Sequence, residues 1–85
     1  MSKFDKLKER LIKKPVDFTY DELRTVLGGF GYQETNKGKT SGSRVAFINP
    51  VTKHIIRIHK PHPKNIIKAY ALQYIVEELK EQGLL

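Results

Sequence analysis

Residues 43–59, SRVAFINPVTKHIIRIH, decide the fold: they read as two strands joined by a turn. Ser43 to Ile48 forms one strand and Lys53 to His59 the next, with Asn49-Pro50-Val51-Thr52 as turn chemistry between them. Side chains alternate along a strand. Ser43, Val45 and Phe47 therefore share one face, and Arg44, Ala46 and Ile48 the other. In the second strand Ile56 and Ile58 share a face with His54, and Arg57 and His59 share the opposite one with Ile55. The Ile56/Ile58 face is expected to pack on helices, which leaves Arg57 and His59 facing outward.

Working upstream, Phe30 to Thr35 reads as another strand, followed by a polar, basic loop beginning Asn36-Lys37-Gly38-Lys39. Before it, Phe18-Thr19-Tyr20-Asp21-Glu22-Leu23 is a helix start. Thr19 is the N-cap, Glu22 completes a capping box, and Phe18 and Leu23 sit where a hydrophobic staple needs them. Leu23, Val26 and Leu27 form the buried stripe, and Gly28-Gly29 is the expected C-cap. Earlier still, Phe4, Leu7, Leu11 and Ile12 fall at helical spacing from Ser2 to Lys14, where Pro15 stops the helix. That helix is expected to pack on the domain.

Downstream, Lys60-Pro61-His62-Pro63 cannot continue a strand. A helix is expected from about Lys64 to Gln82, with Ile67, Ala71, Ile75 and Leu79 at i, i+4 spacing, broadened by Ile66, Tyr70, Leu72 and Val76. Gly83 is its C-cap. Tyr70 and Tyr74 read as packing residues, and Tyr32 as a core residue that could otherwise stack on a base. The sum is α-α-β-β-β-α, an α+β domain with a three-stranded antiparallel sheet packed on helices. Residues 1–85 make a single domain, of which 1–15 is an additional N-terminal helix.

Composition narrows the function. The chain has no cysteine, which removes disulfides, thiolate metal sites and cysteine nucleophiles. Its apolar runs are too short for a membrane span, and its charged N-terminus lacks a signal-peptide core, so a cytoplasmic location is expected. Lys and Arg number 16 against 9 Asp and Glu, a formal charge of +7. The distribution matters more: no acidic residue occurs between Glu34 and Glu77. Such a one-sign segment favours a polyanion, nucleic acid first.

The glycine-bearing loop lacks the G-x-x-x-x-G-K-[ST] spacing and leads into a strand, so it is no nucleotide-hydrolysing phosphate loop. His54, His59 and His62 have no carboxylate near them in sequence, which argues against a metal site and a Ser–His–Asp site alike. Histidine is the side-chain type suited to proton transfer near neutrality. Metal-free RNA cleavage needs that property, together with a cation for the phosphate. His59 with Arg57 on one sheet face is the first candidate and His62, in the following bend, the second. His54, at a strand start, reads as structural.

The order of these pieces resembles the HicA toxins. The resemblance runs from about Phe18 to Leu79 and rests on Leu27-Gly28-Gly29-Phe30-Gly31-Tyr32, the Gly42-Ser43 pair entering a strand, and Ile58-His59-Lys60-Pro61-His62-Pro63. It implies a double-stranded-RNA-binding-like fold, mRNA interferase activity and silencing by a HicB-like antitoxin. The family motif is Gly-Ser-His, whereas Arg44 follows Gly42-Ser43 here. Arginine stays protonated and is a poor general base, but it binds phosphate well. The expectation is then a metal-independent endoribonuclease acting on mRNA, without cofactor or membrane. His59 and His62 are its catalytic candidates, and Lys37, Lys39, Ser43, Arg44, Arg57 and Lys60 its RNA contacts. Two other readings stand beside it: a non-catalytic RNA- or DNA-binding module, and a protein-binding adaptor.

Overall fold

A computed structural model describes residues 3–35, 44–61 and 64–85 of the chain. Asn49 closes the central hairpin. Its side-chain oxygen accepts from the backbone N–H of Val51 (2.9 Å) and of Thr52 (3.2 Å), while Lys53 N–H donates to the Asn49 carbonyl (2.8 Å). This is how a short amide side chain replaces missing backbone partners in a turn. The hairpin strands are β2 (Arg44–Ile48) and β3 (Ile55–His59), preceded by β1 (Gln33–Thr35). The sheet order is β1-β2-β3, antiparallel throughout. Helices α1 (Lys3–Lys13), α2 (Tyr20–Gly29) and α3 (Ala69–Glu81) complete the order α-α-β-β-β-α.

Alternation sorts the hairpin as the sequence predicts. Val45, Phe47, Ile56 and Ile58 are buried on the inner face, against Leu23, Val26 and Leu27 of α2 and Leu72, Ile75, Val76 and Leu79 of α3. Arg44, Arg57 and His59 are exposed on the other. Thr19 caps α2 through a complete capping box with Glu22. Leu7 and Leu11 bury one stripe of α1, so the N-terminal helix is packed on the domain.

Four boundaries differ from the sequence reading: β1 starts at Gln33 in place of Phe30, which caps α2, β3 starts at Ile55 in place of Lys53, which takes a left-handed turn conformation, and the end of α2 and the start of α3 also move. Gly28 and Gly29 lie inside α2, and the left-handed residue that ends it is Gly31 (φ 97°). Tyr32 N–H bonds to the Leu27 carbonyl and Gly31 N–H to that of Gly28, a Schellman ending. Gly29 serves packing instead: a Cβ there would lie 2.2 Å from the Phe4 ring of α1. The last helix starts at Ala69, not near Lys64. The segment before it pairs with the entry to α2: Tyr20 N–H donates to the Asn65 carbonyl (2.9 Å) and Ile67 N–H to that of Phe18 (2.8 Å). Ile67 is buried from this extended segment, whereas Ile66 and Tyr70 are exposed and do not broaden the core stripe.

Candidate nucleic-acid interface

The β2–β3 register assembles the cluster. Arg44 is directly opposite His59, and Arg57 is opposite Ala46, which in turn faces Thr35 of β1. Directly opposed side chains in an antiparallel pair stand about 5 Å apart at Cβ, with diagonal neighbours within reach of long side chains. Arg44, Arg57 and His59 thus project together from the outer face. With Thr35 and Ala46 they line an open concavity of about 510 Å³.

The chain's four arginines fall into two kinds. Arg10 pairs with Asp17 (3.2 Å) and Glu22 (3.4 Å), and Arg24 with Glu34 (3.2 Å) and, more loosely, Asp21 (3.8 Å). No ion pair among the described residues involves Arg44 or Arg57. Their strands come from the stretch without acids, and the outer face brings none to them. Two guanidiniums beside an imidazole, exposed and without carboxylates, can hold phosphate oxygens and exchange a proton next to them.

Lys60 lies apart from this cluster. Strand alternation carries it to the helix side, where its ammonium sits 5.5 Å from the centroid of the Tyr20 ring. Lys37, Lys39, Ser43 and His62 lie outside the described residues.

His54 holds an arrangement that local sequence did not signal. Its Nδ1 is 2.5 Å from the Tyr32 hydroxyl and its Nε2 2.8 Å from Glu78 of α3. The carboxylate missing from its sequence neighbourhood arrives from 24 residues away. Tyr32 is buried and His54 and Glu78 are half-buried, so this chain of polar groups is a partly covered clamp between sheet and helix. Burial, and then the charge of Glu78, raises the Tyr32 pKa above 10.0. Tyr20 is likewise raised, first by burial and then by donating to the Glu34 carboxylate. Tyr70 and Tyr74, read as packing residues, are exposed at 61% and 38%. Among the described residues no group of three or more His, Cys, Asp or Glu is placed to hold a metal. No described helix is long and apolar enough to cross a membrane.

The family model described as the HicA toxin of bacterial toxin-antitoxin systems matches residues 20–84. The match takes in the sheet, α2 and α3 and leaves α1 outside it. No curated protein and no solved structure gives a match.

Proposed function

This chain belongs to the HicA toxin family, and on that premise we propose that it is a metal-independent endoribonuclease that cleaves mRNA on the outer face of its sheet. Membership makes it the toxin of a toxin–antitoxin pair with a cognate antitoxin, which in this reading is HicB-like and acts with it in the cytoplasm. The observation that carries the reading is the register pair Arg44↔His59, with Arg57 on the same carboxylate-free face.

In the proposed reaction a ribose 2′-OH attacks the adjacent phosphorus and the bond to the 5′-oxygen breaks. The products are a 2′,3′-cyclic phosphate and a 5′-hydroxyl end. His59 takes or delivers the proton, while Arg44 and Arg57 clamp the phosphate and balance charge developing on it. Arg44 stands where the family motif has histidine, so proton transfer moves across the ladder to its neighbour. His62 is the candidate for the second proton-transfer group, and Lys37, Lys39 and Ser43 for further backbone contacts.

The test is cleavage of a labelled mixed-sequence RNA in EDTA. The parent is expected to cut. His59→Ala should slow cutting roughly 10²–10⁴-fold, the usual worth of a general acid or base. Equal rates for both would remove His59 from the chemistry.

One observation favours a second reading. Acid–base cleavage uses two proton-transfer groups, and His59 is the only histidine among the described residues on the cationic face. A non-catalytic RNA-binding module needs no such pair. Salt-sensitive RNA binding by the parent, with no cleavage product, would establish it.

A further inference from the structure

Among the described residues the sheet has two open edges, and they are unequal. Asn49 N–H donates to the His54 carbonyl (2.9 Å), which extends the β2–β3 register by one hydrogen-bonded pair. Hydrogen-bonded and non-bonded pairs alternate along an antiparallel ladder. Phe47↔Ile56 and Val45↔Ile58 are therefore the bonded pairs, and the backbone N–H and C=O groups of Ile55, Arg57 and His59 turn away from β2. β3 is the last strand in the order, and among the described residues nothing pairs with that side of it. By the same alternation β1 bonds to β2 through Gln33 and Thr35 and offers only Glu34 at its own free edge.

We propose that the free edge of β3 is the docking strand for an extended, acidic segment of the cognate antitoxin, which adds to the sheet as a fourth strand. Such β-augmentation gains affinity from main-chain bonds and specificity from alternate side chains. The residues that offer backbone bonds include Arg57 and His59, whose side chains stand on the outer face. An incoming strand with acidic residues at alternate positions would set carboxylates beside the Arg57 guanidinium and the His59 ring and cover the concavity. The segment's other face would be apolar, to continue the Ile56/Ile58 side. A second copy of this chain is a poor occupant. Antiparallel pairing of two β3 strands about Arg57 would set Arg57 against Arg57, and like charges directly opposed destabilise a sheet. This inference rests on the outer-face reading above, because it silences the site by covering those same side chains.

Amide hydrogen exchange decides it, comparing the free toxin with its complex with the full-length cognate antitoxin. In the complex, exchange at Ile55, Arg57 and His59 should slow by at least about tenfold, as for amides newly bonded within a sheet. A stable complex in which these three amides exchange at their free rates would overturn the proposal. Ile55→Pro supplies a second readout, since it removes an edge-facing N–H and leaves the β2 ladder intact. Affinity for the antitoxin should drop about tenfold or more, equivalent to one or two backbone bonds. RNA cleavage by the free variant should match the parent, and Ile55→Val should keep both properties. Unchanged antitoxin affinity in a folded Ile55→Pro would also sink the idea, and if that variant fails to fold the exchange result stands alone. Edge protection in a toxin that never cuts RNA would support the docking strand while removing the ribonuclease reading.

Discussion

Arg10 and Arg24, on the helices, are tied to carboxylates, whereas Arg44 and Arg57 stand on the sheet without one. The tied pair holds structure: Arg10 links α1 to the entry of α2, and Arg24 links α2 to β1 through Glu34. The untied pair holds none of the fold together in this way. A cation left without an internal partner is available to an external anion. The same residue type thus serves stability on one side of the molecule and recognition on the other.

Substitutions on the two sides should separate those roles. The largest effect belongs to Phe47, which is 1% exposed and neighbours Ala46 along β2 while pointing inward. Phe47→Ala should cost about 3–5 kcal/mol of stability, read by denaturant unfolding. Arg44→Ala and Arg57→Ala should change stability by less than about 0.5 kcal/mol. Each should weaken RNA binding and lower the slope of log affinity against log salt by about 1. A stability loss without a change in salt slope would reverse the assignment of these arginines.

Smaller effects lie on the helix side. Thr19→Ala should cost about 1 kcal/mol by breaking the capping box, with RNA affinity unchanged. The alkaline limb of the stability curve tests the clamp. The hydroxyls of Tyr20 and Tyr32 hold their protons more tightly in the folded chain than in the unfolded one. Their contribution is complete below pH 10.0 and is lost as pH rises through the raised folded values. Unfolding free energy should therefore fall above about pH 10, and Tyr32→Phe should flatten part of that fall. A small loss of stability, roughly 0.2–1 kcal/mol, is expected for Arg24→Ala, because its pairs are half exposed.

The faces within each strand were legible because period-two alternation is a local signal: counting set Arg57 and His59 opposite Ile56 and Ile58, but the register that puts Arg44 beside His59 came only with the fold. The capping box was legible for the same reason. Contacts made across the fold were not. Nothing near His54 announces Glu78, and nothing near Lys64 announces that Asn65 and Ile67 will bond to Tyr20 and Phe18 in place of turning into helix. Gly29 reads as punctuation until Phe4 is seen to need its space. Tyr70 and Tyr74 are exposed because, at helical spacing, they stand on the side of α3 opposite the buried Leu72, Ile75, Val76 and Leu79.

The Phe4–Gly29 contact also bears on the order of assembly. Phe4 meets Phe30 edge-on at 5.1 Å, and Arg10 meets Asp17, so α1 and α2 run antiparallel and touch across a short loop. The closing of the Ile67 segment on Phe18 and of α3 on His54 must wait for much longer loops, whose ends are entropically harder to bring together. We expect the helical hairpin to form early and α3 to dock last. Mutations at Phe4 would then slow folding, and those at Ile67 would chiefly hasten unfolding. The helix outside the family match would be a folding template for the part inside it.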